Sequence, residues 1–508
     1  MADDHRLEGV EIAVASGAFP DEYLRLHGVW GHEAISRLFE YDLVFSRTGD
    51  VPFTFAELDK LMGAPCAVTL GPRPGDVVHG VLQSVSFIDA ARTVAPRYRA
   101  RLVPTAWLLT LAKPNRLFQN LTIPALLESV LGQYGLAKGN DFEIRATNPG
   151  PAHEYIVQFD ESDWDFLQRW MEHEGLSYWF EHGASAEKLV IADASQHATE
   201  IDDPKVLSYR ERNNLSTGRI ATVWDFGFEQ KRIPARVAVF DYNYRNPGVD
   251  LFVKQDVDTK RGFGSVFHYG EHFKDNDQGK AIATARAERH LAERVTFRGA
   301  TDCARFRVGH YFELDGHHHD ELDQKYLITE IHHGAGVPLP ADDPALEVGS
   351  TPKAGAIDLA PQRYRARFAA IPLTTPFRPE RVTRIPRIDG VLHAHVEADG
   401  AGEYAQIDSV GRYKVRLPFD GGAAKGSKAS RWIRMAQPYA GAGYGSHFPL
   451  HKGAEVLLVH VNGDPDRPII VASVPNAHTV TPSTSANATQ SVIHTASGLR
   501  IEMEDRQT

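Results

Sequence analysis

The sequence from Gly411 to Asn476 reads GRYKVRLPFD at residues 411–420 and RWIRMAQPYAGAGYGSHFPLHKGAEVLLVHVNGDPDRPIIVASVPN at residues 431–476. Apolar residues alternate with Lys and Arg through Tyr413–Leu417, and this alternation predicts a half-buried strand. Two apolar runs, Val456–Val461 and Ile469–Val474, are separated by residues that suit a turn, Asn462–Asp466. Short strands joined by such turns predict a small closed β-barrel.

Four parts of this stretch resemble the OB-type (oligonucleotide/oligosaccharide-binding) barrel of VgrG proteins, the spike proteins of type VI secretion systems. In chain order they are the strand GRYKVRLPFD, the segment RWIRMAQPYAG, the segment GAEVLL and the turn GDPDRP. The resemblance is specific because all four parts occur in order between residues 411 and 476. It is a likeness of fold, and by itself it does not imply that the barrel binds oligonucleotides.

A second resemblance lies at Phe159–His182, FDESDWDFLQRWMEHEGLSYWFEH, which is similar to a helical signature of the same family. The resemblance implies that residues 1–375 form a hub like the one beneath phage tail spikes. In that hub, two related barrels per chain let a trimer present near-sixfold symmetry. The family order then implies an OB-type barrel at 380–475, followed at 476–508 by a linker and the start of a trimeric β-prism stalk.

Hydrophobic periodicity predicts a mainly β chain with a few helices. Strands are expected at Val77–Ile88 and Tyr98–Trp107. The expected regions before the barrel are a β-rich part at about 6–117, a helical insert at about 118–180, a β-rich part with one long helix at about 181–350, and a Pro- and Ala-rich linker at 338–378.

Three helices are expected, at Pro124–Leu136, Ser162–Glu174 and Asp277–Val295. In the second helix, Ser162 suits the N-cap and Gly175 suits the C′ position that ends a helix. Each of the first two helices has an apolar face, formed by Leu126, Leu127, Val130 and Leu131 in the first and by Trp164, Leu167, Trp170 and Met171 in the second. We interpret the aromatic face of the second helix as core packing.

Composition restricts the class of protein. A chain of 508 residues predicts about three domains, and 42% hydrophobic with 24% charged residues is typical of a soluble protein. The N-terminus does not have the pattern of a secretory signal peptide, and no segment is apolar enough to span a membrane.

Cys66 and Cys303 are expected to be buried free thiols. Residues 378–508 contain 15 Lys and Arg against 13 Asp and Glu, and the net charge is −11, so no basic field for nucleic acid is expected.

The tail has an amphipathic strand pattern at Ser497–Asp505. Apolar residues alternate with charged ones: Leu499, Ile501 and Met503 against Arg500, Glu502 and Glu504. Because one strand cannot bury such a face, we predict that copies of this strand meet around a threefold axis, with the three apolar residues as the trimer interface. The alternative is that the strand packs back on the barrel.

The histidines offer the main candidate chemistry. His317, His318 and His319 form one cluster, and a fold contact with His332 or His333 could add a metal ligand. We favour a solvated turn for the first cluster, and we expect no metal site.

No catalytic or cofactor-binding residues are expected either. His32, His153 and His173 each precede a Glu, but none has a second His four residues later, so the zinc-protease motif is absent. The sequence has no G-x-S-x-G elbow and no phosphate-binding loop, and Gly441–Gly445 lacks the spacing of a dinucleotide loop.

The resemblance therefore implies a structural, non-enzymatic protein. It would be a homotrimeric spike that docks on the hexameric Hcp tube and baseplate, carries a PAAR-type tip protein and effectors, and contacts a target membrane transiently. Such a spike assembles in the cytoplasm and leaves by type VI secretion without a signal peptide. The alternatives are a hydrolase built on the His clusters, a toxin domain fused beyond Thr508, and a spike of a phage-like particle.

Overall fold

A computed structural model describes residues 13–506 of the chain, except 20–23, 48, 50, 72, 74, 89–95, 195–196, 203, 212–220, 337–363, 403 and 421–425. The chain divides into two compact units. The hub unit comprises Met1–Ala112, Thr122–Pro151 and Asp163–Thr383, and the barrel unit comprises Lys113–Leu121, Ala152–Ser162 and Arg384–Thr508.

Strands predominate in both units. Up to residue 372 the strands are β1 (Ala13–Ser16), β2 (Leu24–Ala34), β3 (Glu40–Arg47), β4 (Pro65–Thr69), β5 (Val77–Ile88), β6 (Arg97–Val103), β7 (Arg116–Phe118), β8 (Phe142–Arg145), β9 (Ile156–Gln158), β10 (Ser177–His182), β11 (Glu187–Ala192), β12 (Thr199–Glu200), β13 (Val206–Tyr209), β14 (Thr222–Gln230), β15 (Arg236–Asp241), β16 (Leu251–Asp256), β17 (Ser265–Tyr269), β18 (Val295–Thr301), β19 (His310–Asp315), β20 (Lys325–Gly336) and β21 (Arg365–Pro372). After residue 372 they are β22 (Leu392–Glu397), β23 (Lys414–Arg416), β24 (Ala440–Gly441), β25 (Tyr444–Gly445), β26 (Glu455–His460), β27 (Pro468–Ser473), β28 (Gln490–His494) and β29 (Arg500–Glu504). The helices are α1 (Phe55–Met62), α2 (Ile123–Gln133), α3 (Asp163–Glu174) and α4 (Asn276–Ala292).

One sheet of the hub unit closes on itself twice. Its order is β1-β4-β5-β6-β3-β2-β20-β21-β18-β14-β13-β19-β12, and the additional pairings β1–β2 and β20–β19 each close a ring of six strands. The two rings join where β2 pairs with β20, in a register that runs from Gly28↔Gly336 to Ala34↔Glu330. We call this strand pair the seam. The rings confirm the expectation of a mainly β hub built from barrel-like domains.

Two segments of the chain before residue 112 differ from the sequence-based prediction. The strand expected at Tyr98–Trp107 ends at Val103, because Pro104 has no N–H for the ladder, and a 3₁₀ helix follows at Thr105–Leu111. The short helix α1 lies inside the part predicted to be β-rich. Thr54 and Glu57 form its capping box, which is a sequence-readable signal for the start of a helix.

The other helices are close to their predicted ranges. α2 begins at Ile123 with Thr122 as N-cap, and α3 ends before Gly175, whose φ of 72° is the left-handed value expected at C′. Helix α4 ends at Ala292, three residues earlier than predicted. The predicted last residue, Val295, instead begins β18, where a β-branched side chain suits the pairing with β14.

The predicted linker at 338–378 is partly wrong. Residues 337–363 lie outside the described residues, but Arg365–Pro372 forms β21, which pairs with both β18 and β20. Its buried residues alternate at Ala366, Phe368 and Ala370, with Ile371 also buried, and two of these four are alanines. The small side chains gave this strand a weak apolar signal.

In the barrel unit, a sheet of order β23-β22-β26-β27 surrounds a closed core. Residues 433–435 complete the closure, since Ile433 bridges to Tyr413 and Met435 bridges to Ile470. The alternation predicted for Tyr413–Leu417 is confirmed, because its three apolar side chains are buried in this core. The predicted turn is also present, with Asn462 and Gly463 at positive φ.

The barrel core also receives residues from two segments far away in sequence. β7 and β9 pair with each other, and Tyr155 and Val157 pack into the core of the barrel. The buried carboxylate of Asp466 accepts a hydrogen bond from the backbone N–H of Val157 at 2.6 Å. These segments were expected to belong to the hub, at the end of its β-rich part and in its helical insert.

Candidate functional site

The hairpin formed by β28 and β29 presents an apolar face to solvent. Leu499, Ile501 and Met503 are 73%, 61% and 57% exposed. Ile493 lies directly opposite Ile501 across the strand pair, so it adds a fourth apolar side chain to the same face. All five residues of β29 are exposed, so the alternative that this strand packs back on the barrel is wrong for the single chain.

The opposite face of the hairpin is mainly polar, although Val492 lies on it beside Glu502. Arg500 and Glu502 form an ion pair at 2.9 Å, and Gln490 donates a hydrogen bond to Glu504 at 3.3 Å. The turn between the strands contains Gly498 at a φ of 93°, a conformation that favours glycine. The hairpin is therefore amphipathic, with its apolar side chains exposed.

The inner face of the seam in the hub unit contains a buried ionic cluster. Glu33 on β2 lies 3.1 Å from the Nε2 atom of His333 on β20 and 3.6 Å from the guanidinium of Arg307. Its carboxylate also accepts hydrogen bonds from the Tyr41 hydroxyl and the Val308 N–H. Burial alone would raise the pKa of Glu33, but its close contact with His333 and the charge of Arg307 lower the pKa far below its ordinary value. The cluster ties the two rings together.

The outer face of the seam brings together His32, Glu330 and His332. The Nε2 atoms of both histidines approach the same oxygen, Oε1 of Glu330, at 3.1 Å and 3.3 Å. The hydrogen bond from His32 is the largest cause that lowers the pKa of Glu330 far below its ordinary value, followed by that from His332. Sequence reasoning missed this group because His32 and Glu330 are distant in the chain, and only the strand register places them together.

The His317–His319 cluster lies in the turn between β19 and β20, as predicted, but it is not fully solvated. His317 is buried, with its ring 4.2 Å from the rings of both Tyr209 and His318. Its Nδ1 atom accepts a hydrogen bond from the backbone N–H of His319. The His317 ring therefore contributes to packing. His332, which could have joined the His317–His319 cluster as a third metal ligand, instead lies beside His32.

The two cysteines are free and buried, which confirms the expectation from the sequence. Burial raises the pKa of the Cys66 and Cys303 thiols to about 11. Because the thiolate is the reactive form, neither residue suits nucleophilic chemistry near neutral pH. Among the described helices, none combines the length and apolar character needed to cross a membrane.

Family models match both units. Residues 32–337 match the phage tail baseplate hub (GPD) model, and residues 405–474 match the type VI secretion system/phage-baseplate injector OB domain model. The first match alone spans more than half of the 508 residues. The chain belongs to the phage baseplate hub family, among its VgrG spike proteins. The fold of this VgrG chain, with its hub and OB domain, is therefore the one that the sequence resemblance implied.

Two curated relatives from Pseudomonas aeruginosa support this assignment. The type VI secretion system spike protein VgrG4b is 31% identical to this chain. The match covers 92% of this chain and 56% of VgrG4b. The spike protein VgrG1a is 29% identical to this chain. The match covers 96% of this chain and 74% of VgrG1a. This VgrG chain thus spans between about half and three quarters of the length of these relatives.

A solved structure shows the same fold. It is an E. coli component of the type VI secretion system, described as structurally similar to the T4 bacteriophage tail proteins gp27 and gp5. The TM-score is 0.64 at 22% sequence identity, and the match covers 91% of this VgrG chain and 99% of the E. coli chain.

Proposed function

We propose that this VgrG chain works as the homotrimeric spike of a contractile injection machine. The observation that carries the proposal is the hairpin of β28 and β29. Its apolar residues, Leu499, Ile501 and Met503, are each more than half exposed, whereas the opposite face is charged. Three copies arranged around a threefold axis would bury the apolar face and leave the charged face in solvent, which removes an exposed apolar patch and a free strand edge.

The two rings of the hub support docking on a hexameric tube of the Hcp type. Each chain contributes two closed rings of six strands, so three chains contribute six rings. A trimer that presents six similar domains can meet the six subunits of a ring with matched contacts. We therefore assign contact with the tube and baseplate to residues 1–375.

We assign the tip to the C-terminal part of the chain, after the barrel unit. A PAAR-type tip protein and effectors would be carried beyond the barrel unit and the stalk, and the particle would contact the target membrane only transiently during contraction. A mechanical role suits closed β-rings, because they leave few free edges at which strands can separate. The protein would be assembled in the cytoplasm and exported by the secretion machine itself.

We also propose that residues 1–508 have no catalytic role. The two thiols are buried with raised pKa values, and His317 is packed between aromatic rings. Because the His317 ring is buried, a hydrolytic site in the His317–His319 turn would have to rely on His318 and His319, which are exposed. Turnover of peptidoglycan, ester or peptide substrates that is lost in a His317→Ala/His319→Ala double variant would contradict this assignment.

Release of the tube protein from the host bacterium tests the proposed function. With the gene for this chain replaced by an Ile501→Asp variant, we expect the tube protein to disappear from the culture medium, because a carboxylate would enter the shared apolar interior of each spike. The matched control is Glu502→Lys on the charged face, which should release the tube protein at the parental level. Normal release by Ile501→Asp, at equal cellular amounts of the spike, would contradict the proposal.

A further inference from the structure

The outer face of the seam carries three side chains with ligand atoms that converge. His32 on β2 lies directly opposite His332 on β20 in the strand register. Glu330 precedes His332 by two residues on the same strand, so its side chain points to the same face. The strand pairing alone is enough to bring two imidazoles and one carboxylate together.

The distances from Glu330 to the two imidazoles are compatible with three ligands of one metal ion. The Oε1 atom of Glu330 is 3.1 Å from the Nε2 atom of His32 and 3.3 Å from that of His332, and all three ligand atoms lie within 4.8 Å of one another. Two ligands of a tetrahedral zinc ion, each about 2.0–2.1 Å from the metal, lie about 3.3 Å apart. The two imidazole rings are stacked 4.5 Å apart at 16° on the same side of the strand pair.

We propose that His32, Glu330 and His332 bind a divalent transition-metal ion, with zinc as the preferred ion. Two neutral imidazoles and one carboxylate suit zinc and similar ions, whereas calcium and magnesium prefer sites made of oxygen ligands. The side chains are 34%, 47% and 55% exposed, so an ion can reach them and keep at least one coordination position for water. This proposal replaces the expectation of no metal site, and it does not depend on the proposed role as a spike.

The competing interpretation is that Glu330 simply accepts hydrogen bonds from both histidines. The two interpretations differ in the position of the proton. Hydrogen bonding requires a proton on each Nε2 atom, whereas metal binding requires each Nε2 lone pair and leaves the proton on Nδ1. Zinc should therefore change the tautomer of both rings, which ¹⁵N chemical shifts of the histidines detect.

The position of the site gives the ion a structural consequence. The seam joins the two rings of the hub, and Glu33 and His333 already connect β2 and β20 from the opposite, buried face. An ion on the outer face would join the same two strands a second time. Because the unfolded chain does not hold this arrangement, zinc should raise the melting temperature of the hub.

Titration of the full chain with zinc chloride, after treatment with a chelator, tests the site. We expect one zinc ion per chain with an affinity that falls more than about 100-fold in His332→Ala, in His32→Ala and in Glu330→Gln, since loss of a ligand should exceed the 10–100-fold effect of outer-shell residues. The control is His393→Ala, which removes an exposed imidazole that contacts Glu455 at 2.6 Å in the barrel unit. It should bind zinc as the parent does.

Two further measurements make the result independent of folding. Each metal-free variant should melt within a few degrees of the metal-free parent, and only the parent and His393→Ala should melt at a higher temperature with zinc. Cobalt added in place of zinc should give the intense visible absorption of a tetrahedral site in the parent and not in His332→Ala. Three outcomes would each overturn the proposal. They are equal zinc affinity in the parent and His332→Ala, no stoichiometric zinc binding by the parent, and a loss of zinc affinity in His393→Ala as large as that in His332→Ala.

Discussion

Arg286 on α4 stabilises the C-terminal end of α3 from inside the hub core. Its guanidinium donates hydrogen bonds to the backbone carbonyls of Glu172 and His173 and lies 3.2 Å from Glu271. Burial lowers the pKa of Arg286. Burial would raise the pKa of Glu271, but Arg286 and neighbouring positive charges hold it at about 2. A charge in this position depends on its partner, because an unpaired buried charge is costly.

Glu271→Gln should therefore lower the free energy of unfolding of the hub by about 3–5 kcal/mol at pH 7. The folded pKa of Glu271 lies below its unfolded value of about 4.5, so its contribution is present above pH 4.5 and is lost as the pH falls towards 2. Urea unfolding of the parent and the variant at pH 7 and pH 3 measures the difference, which should shrink at pH 3.

The control for this experiment is Glu293→Gln, which removes a partly exposed ion pair with Arg289 at 2.9 Å. Exposed pairs contribute about 0–1 kcal/mol, so the control should remain near the parent at both pH values. If Glu271→Gln lowers the free energy of unfolding by the same amount at pH 3 and at pH 7, then Glu271 stabilises the hub by packing rather than by its charge.

Trp170 provides a second test at this scale. The ring is 2% exposed on α3 and contacts the His173 ring edge-on at 5.3 Å. Trp170→Ala should lower the free energy of unfolding by about 3–5 kcal/mol, because the change leaves a cavity in the core. Phe55→Ala, at an 89% exposed position, should stay within about 0.5 kcal/mol of the parent. A Trp170→Ala protein that unfolds like the parent but no longer binds the tube ring would instead place this residue in the docking surface.

At the scale of single elements, the tail hairpin shows both what a local pattern predicts and what it omits. The alternation at Ser497–Asp505 predicted β29 and its apolar face. It could not show that Ile493 shares that face, because this depends on the register with β28. The same distinction separates β23, which has a strong local alternation, from β21, whose alanines conceal it.

Single-cysteine cross-linking tests the orientation of the hairpin. Leu499→Cys should give disulfide-linked chains under mild oxidation if three copies of Leu499 meet at one axis, while Cys66 and Cys303 remain unreactive because they are buried. Adding Ile501→Asp should abolish the product, since three carboxylates in an apolar interior suffer desolvation and mutual repulsion. Adding Glu502→Lys should preserve it. The reverse pattern, with only Glu502→Lys disruptive, would mean that the charged face is the interface.

At the scale of the whole molecule, motifs predicted the family and the mainly β fold, but long-range pairings determined the rest. The OB-type motifs at 411–476 and the helical signature at Phe159–His182 were sufficient for the hub and the OB barrel. Neither the group of His32, Glu330 and His332 on the seam nor the packing of Tyr155 in the barrel core could be predicted, because both join residues that are far apart in sequence. The boundaries at 375, 380 and 475 remain predictions.

The mass of the protein in solution tests the central claim most directly. Light scattering, supported by native mass spectrometry, should give about three times the 56.3 kDa mass of the chain at micromolar concentration. The Ile501→Asp variant should shift the mass towards that of one chain, and Glu502→Lys should not. A parent protein that remains a stable 56.3 kDa monomer under these conditions would contradict the account of the hairpin as a trimer interface.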